Sequence, residues 1–572
     1  MKRTTIGLLL TLALIAIACG PAQTQPPAAA TSAPAPAIAT SPAVAPTAAP
    51  AAQIPAPTTA PAAPKPTKGG TFTEASFGEA VSLQPLITQD TSSSGYQGNL
   101  YAGLWRYNPE TLDFEGVLYD GKPELSADGK TLTWKLKKNL KWSDGTPITS
   151  KDIIFTWQKM MDTAVKYPYR QLKQNAFTDV SAPDDYTVVY TLKTPGFCPA
   201  INDSGMPGPL PKHIYEKLDI NQNDYDKKPT VVSGLYFFKE WMKDDHATFS
   251  PPNPGFPRGE AYVNADTVRI VKDNTVATQM FKTQEVDVVG PNAIDFDEVS
   301  KLPFAQAFRY YSASASWVYI GFNVRQPILQ DKRVRQAITS ALNRDEMIKT
   351  IRLGYAKPQY STYASSSWAY TDDLPKWPYD PAKAKQLLKD AGWTPGADGI
   401  LQKDGKPFKV RLFYNAGNNE REKIAIISQQ FLKEVGIQAE VISEEWNAYL
   451  NRVNTTRDLD MYIIGWSAGI EPNGFGNIWK SDGGQNATGY NNPEIDKLYN
   501  EAANVPGCKL EDRKKVYAKI QQILAEDQPY VFLWTNENLV VYNKRILNLN
   551  PKSRVGPAAS WETIWINPSA TK

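Results

Sequence analysis

The sequence predicts an α/β protein of at least two lobes. The chain has 572 residues, and the roughly 500 that follow a low-complexity start exceed what one simple core organises. Strand-like alternation and helix-like spacing succeed one another along that length, which argues for sheets with helices packed against them. Turn and capping signals punctuate the two kinds of segment.

The N-terminal part is of another kind. Lys2 and Arg3 precede an apolar run from Ile6 to Ala18. That run fits the core of a secretory signal and falls short of the roughly 20 residues needed to span a bilayer. It ends in Ala16-Ile17-Ala18-Cys19-Gly20, which resembles a bacterial lipobox. The expectation is a signal peptide over 1–18 and an acylated Cys19 as the first mature residue, the alternative being an ordinary signal cleaved before an unmodified cysteine. Residues 21–64 carry no charged side chain and consist almost wholly of Ala, Pro, Thr, Ser and Gln. Such a chain cannot bury enough apolar surface to offset its ordering entropy. Residues 19–68 therefore read as a disordered, proline-stiffened tether with a reach on the order of 100 Å.

Charge and cysteine usage narrow the function. Loss of residues 1–18 removes Lys2 and Arg3, so the formal charge of +3 falls to +1 and no polyanion or nucleic acid is indicated as partner. Beyond Cys19 only Cys198 and Cys508 remain. Their contexts, PGFCPA and VPGCKL, suggest two small buried or semi-exposed thiols, with a single disulfide as the other reading. The two histidines, His213 and His246, stand apart without metal-ligand spacing, so neither metal nor cofactor is expected.

The mature chain opens on a short alternating strand, Gly70 to Ser76. Asp128-Gly129 then marks a turn before the strand Thr131 to Leu136, in which Leu132, Trp134 and Leu136 share one face. After a second turn at Asp144-Gly145, Thr149-Ser-Lys-Asp152 forms a capping box that opens a helix running to Met161. In DKRVRQAITSALNRDEMI, Val334, Ala337, Ile338 and Ala341 make the inner stripe of an amphipathic helix. DPAKAKQLLKDAGW starts with Asp380 as N-cap and Pro381 at the first helical position and stops at Gly392.

The order of these words, W-x-L, WSDGTP and the following Asp152, resembles the family 5 solute-binding proteins of bacterial ABC importers. SGLYFFKEW (233–241), MFKTQEVDVV (280–289), GFNVRQPILQDKRVRQAITSALNRDEMI (321–348) and ATGYNNPEIDKLYNEA (487–502) extend that resemblance over nearly the whole mature chain. It implies a two-lobed, periplasmic-binding-protein-like (type II) fold with an extra inserted subdomain. Lobe I would comprise 69–105, 178–314 and 534–572, the insert 106–177 and lobe II 315–533. The chain would cross between lobes near 310–317 and 532–537. The function implied is capture of a peptide or similar solute outside the cytoplasm by a lipid-anchored monomer. The solute would pass to permease subunits served by separate cytoplasmic ATPases.

The resemblance also assigns candidate ligand contacts. The segment GWSAGIEPNGFGNIWK (465–480) would lie on the cleft wall of lobe II, where main-chain groups of Gly465 and Ser467 would pair with a peptide as an added strand. Trp446, Trp466 and Trp534 match pocket aromatics, and Asp90 and Thr91 match the lobe I wall. Arg452 lies near the position that meets a ligand carboxylate, with Arg421 a weaker candidate. The sequence departs from the peptide-binding pattern at Gly469, which occupies the place of an Asp that holds the peptide ammonium. Either Glu471 or Asp90 replaces that carboxylate, or the ligand has no ammonium there; otherwise Glu471 is a loop acid exposed to water.

Fifteen tryptophans and twenty-eight tyrosines keep an oligosaccharide ligand open as an alternative. A secreted glycosidase is a reading of another class, but the adjacent acids Glu444-Glu445 would point to opposite faces of a strand and make a poor catalytic pair. No Walker-type or H-E-x-x-H motif occurs, and GWSAG (465–469), which fits G-x-S-x-G, falls in the segment the resemblance assigns to the ligand wall, so no catalytic residue is assigned. A surface adhesin or chaperone on the same fold is the remaining alternative.

Overall fold

A computed structural model describes residues 65–570 apart from Phe77, residues 88–90, Lys272, Ala315, Gly417 and Ala468. The expected signal peptide, Cys19, the tether up to residue 64 and Asp90 lie outside the described residues. Among these residues no helix is long and apolar enough to cross a membrane.

Three sheets organise the chain. The first has seven strands, in the order 305–310, 538–543, 288–289, 71–76, 265–270, 246–252 and 236–242. The second has six, in the order 356–358, 530–536, 316–322, 461–467, 409–415 and 438–444. A third sheet of four, 124–125, 131–135, 187–192 and 177–184, packs its apolar side chains into the same core as the first. Trp134 and Leu132 lie in that core, where alternation placed them.

The connections between sheets fix a cleft. Tyr310 pairs with Asn538 in the first sheet, and Trp317 pairs with Thr535 in the second, so the two chain crossings run side by side. In the first sheet, the parallel strands 71–76, 265–270, 288–289 and 305–310 all end at the edge that faces these crossings. In the second, strands 409–415, 438–444, 461–467 and 530–536 end at the same place. Two sets of strand carboxyl ends thus confront one another, the arrangement in which open α/β sheets hold ligands. Around the crossings, Arg309 donates to Glu537 at 2.7 Å, and the Tyr355 hydroxyl reaches from the second body to Asp297 at 2.5 Å.

Local signals form as read. Thr149 caps the helix Ser150–Met161, with the Thr149 N–H bonded to Asp152 at 3.0 Å. Asp380 caps Pro381–Asp390, and Val334, Ala337, Ile338 and Ala341 are buried on the inner side of Lys332–Ala341. Two boundaries differ from expectation. The inserted subdomain does not end at 177: the strand Phe177–Asp184 and its partner Thr187–Leu192 belong to the four-stranded sheet. The return to lobe I comes after Asn536 rather than before 534, because Tyr530–Asn536 is one continuous strand of the six-stranded sheet.

Candidate functional site

The strand Met461–Ser467 carries the predicted contacts Gly465, Trp466 and Ser467, and its surroundings explain its sequence. On one side it pairs with Ser316–Phe322 along its whole length. On the other, pairing with Lys409–Asn415 stops at Phe413↔Tyr462. Ile464 to Ser467 therefore have a strand neighbour on one side only, at the cleft rim. Trp466 is half-buried and lies parallel to Tyr319, with ring centres 6.5 Å apart, and Tyr319 stacks on Tyr530 at 3.8 Å. This aromatic backing holds the indole at the rim while leaving part of it in water. Gly465 has a separate cause: a Cβ there would stand 2.9 Å from the Trp317 carbonyl oxygen, so the neighbouring strand demands glycine.

Trp446 opens the helix Trp446–Asn451, immediately past the strand end at Glu444. Thr91 opens the helix Thr91–Leu100 on the lobe I side. Gly469 follows the strand as an exposed residue, where a Cβ would meet only the Glu471 backbone at 4.0 Å.

Glu471 is neither an exposed loop acid nor a spare counterion. Its carboxylate pairs with the Arg513 guanidinium through both oxygens and accepts from Asn202 Nδ2 at 3.0 Å and from the Asn473 N–H at 3.1 Å. The Arg513 side chain is only 4% exposed and lies over the Trp368 ring, whose indole N–H donates to the Ile470 carbonyl. Asn202 belongs to the short helix Ala200–Asp203, beside the four-stranded sheet, so this bond crosses between bodies. The Tyr107 hydroxyl donates to Asn202 Oδ1 and orients the amide. Nearby, burial pushes the Asp203 carboxyl up to about 6, with Lys173 opposing the shift and Glu471 adding to it. The expectation that Glu471 awaits a ligand ammonium is corrected, because its acceptors are already used.

Three further expectations change. Trp534 is fully buried, its indole N–H donating to Glu420 at 3.2 Å. A bulge between Val318 and Tyr319 breaks the register with Tyr530–Asn536, and Trp534 packs into the core opposite the aromatic face. Arg452 is clamped by Glu444 at 2.8 and 2.9 Å and by Asp458 at 3.2 Å, over the Phe413 ring. It is not offered to a ligand carboxylate. Arg421, the weaker candidate, donates to Asn415 at 2.5 Å. Cys198 and Cys508 are disulfide-bonded, with Cα atoms 5.4 Å apart, rather than two separate thiols.

Sequence reasoning missed Asn202, Arg513 and Trp368. Asn202 meets Glu471 across 269 positions of chain, and no local pattern marks such a pair. A groove of about 930 Å³ lies beside this cluster, lined among others by Asn175, Phe197, Asn202, Asn473 and Tyr499. Glu471, Asn473, Gly474, Gly476, Asn477 and Lys480 of the expected wall segment line it, whereas Gly465, Trp466 and Ser467 do not. Among the described residues, no group of three or more His, Cys, Asp or Glu is placed to hold a metal ion.

The comparisons with known proteins bear on this cleft. The family described as bacterial extracellular solute-binding proteins, family 5 Middle, matches residues 113–487. The chain belongs to this family. Among family 5 relatives, the oligopeptide-binding protein AppA of Bacillus subtilis is 31% identical over 490 residues, covering 83% of this chain and 88% of that protein. The periplasmic oligopeptide-binding protein OppA of Salmonella typhimurium is 26% identical over 493 residues, covering 81% and 87% respectively. The structure of Bacillus subtilis AppA in complex with a nonapeptide superposes with a TM-score of 0.70 at 30% identity, over 88% of this chain and all of that one. The substrate-binding protein CtaP of Listeria monocytogenes superposes with a TM-score of 0.76 at 26% identity, over 88% and 100%. Two-lobed architecture and solute binding are thus properties of this family 5 protein.

Proposed function

We propose that this family 5 protein is the peptide-capturing receptor of an ABC-type importer. The observation that carries the reading is the open edge of Ile464–Ser467 at the mouth of the cleft. An extended peptide added there gains main-chain hydrogen bonds that do not depend on its side chains, and Trp466 gives one side chain an apolar face. The oligopeptide-binding relatives support the same solute class. With Gly469 in the acidic position and Glu471 engaged by Arg513, neither residue offers a free carboxylate to the peptide ammonium. Peptides of different lengths and N-acetylated peptides then bind alike.

In this reading Cys19 carries the lipid, and residues 19–68 hold the lobes near the membrane, which raises their effective concentration at the permease. The chain delivers its solute unaltered and catalyses no reaction. Mass spectrometry of what denaturation releases from the natively purified protein tests the solute class. Peptides of mixed length support the proposal, whereas an oligosaccharide or a small cation removes it. A diacylglyceryl mass on the N-terminal fragment tests the anchor separately.

A further inference from the structure

Cys198 and Cys508 sit on different bodies. The loop of Cys198 is fixed to the four-stranded sheet, for the Trp134 indole N–H donates to Ser204 Oγ at 3.0 Å and the Tyr190 hydroxyl to the Ser204 carbonyl at 2.9 Å. Cys508 lies between the helices Pro493–Ala503 and Leu510–Asp527, which bury their inner residues against the aromatic face of the six-stranded sheet. Among the described residues, the polypeptide itself passes between the bodies only between Tyr310 and Ser316 and at Glu537.

We propose that the Cys198–Cys508 disulfide is an interlobe strap, a third covalent connection that fixes the line about which the cleft opens and limits how far. A disulfide tolerates Cα separations of about 4.4 to 6.8 Å. From the 5.4 Å seen here, the two loops can part by no more than an ångström or two. The two chain crossings are paired neighbours and act together as one pivot. The strap is a second, and rotation about the line joining them is the large rigid-body motion that survives.

The contacts around the strap fit a joint that stays assembled. The Cys198 N–H donates to the Ala503 carbonyl at 2.7 Å, and Asn202 holds Glu471 a few residues away. The Glu471 cluster is on this account part of the joint, while the cleft admits solute along its other side. An external dithiol severs the strap: two electrons and two protons convert the bond into thiols at Cys198 and Cys508, and the dithiol leaves as its own disulfide.

Small-angle scattering on solute-free protein tests the strap directly. The samples are the full chain before and after dithiothreitol, and the Cys198→Ser/Cys508→Ser variant under both conditions. The expected result is a shift to a larger radius of gyration on reduction of the unmodified chain. The variant should begin at the larger value and not respond to reductant. An unchanged radius after reduction, with bond cleavage verified by mass, overturns the proposal, as does alkylation of both cysteines in the folded protein before any reductant is added. Reduction of the unmodified chain needs no substitution, so a variant that misfolds does not block the test. No solute takes part, so the outcome is independent of whether the natural ligand is a peptide.

Discussion

The carboxylate of Glu471 spans two bodies through one side chain. It neutralises the buried Arg513 on its own lobe and accepts from Asn202 on the other. Glu471→Gln leaves that guanidinium without its counter-charge, which costs about 3 kcal/mol where a buried partner is removed. Urea unfolding is expected to show that loss, and Glu471→Gln/Arg513→Met to recover much of it, since removing both charges leaves neither unpaired. Equal stability of the single variant and the unmodified chain would show that the pair contributes nothing. The residue-level lesson lies in the same place. Glu471 is visible in the sequence as an acid beside the expected ligand wall, but its role depends on Arg513 and Asn202, which only the folded chain brings near. Trp534 fails as a candidate for a related reason, because one bulge in a strand reverses the side to which an aromatic points.

Strands show what sequence patterns capture and where they stop. Capping boxes, proline at the first helical turn and the stripe of Val334, Ala337, Ile338 and Ala341 are legible because they are set by neighbours three or four residues away. The end of the insert is not, since Phe177–Asp184 joins its sheet through pairing that alternation alone does not assign. Gly465 tests the strand at the rim: Gly465→Ala forces a Cβ against the Trp317 carbonyl and is expected to cost about 1 to 3 kcal/mol. A loss well below that range would mean the two strands can separate without penalty.

The lobe I sheet makes a pH prediction. Asp266 is buried, its Oδ2 accepting from Asn99 at 2.8 Å while Oδ1 has no partner among the described residues. Burial raises its carboxyl above the ordinary range despite the bond from Asn99. Glu74, on the adjoining strand, is raised by burial and then by the charge of Asp266. Both folded values lie above the unfolded ones, so the folded state binds more protons. The resulting stability is present below about pH 4 and is lost as pH rises through the raised values. Asp266→Asn should flatten that decline in urea unfolding between about pH 4 and 8, the window spanned by the ordinary and raised values. An unaltered slope would show that the pair does not titrate on folding.

The described residues form two bodies whose strand ends face one another, joined by two adjacent chain crossings and by the disulfide. The family resemblance makes this architecture readable from quoted words of sequence, because those words are scaffold helices and turns whose spacing the fold constrains. The pairing of Cys198 with Cys508 is not readable, since the two lie 310 positions apart and their contexts suggest separate thiols. In the proposed binding mode, solute enters the cleft as an added strand on Ile464–Ser467. Amide hydrogen exchange, with and without a saturating oligopeptide, measures this at the backbone groups concerned. Slowed exchange is expected at Gly465 and Ser467, whatever side chains the peptide carries. Full occupancy with exchange at these amides unchanged would contradict it.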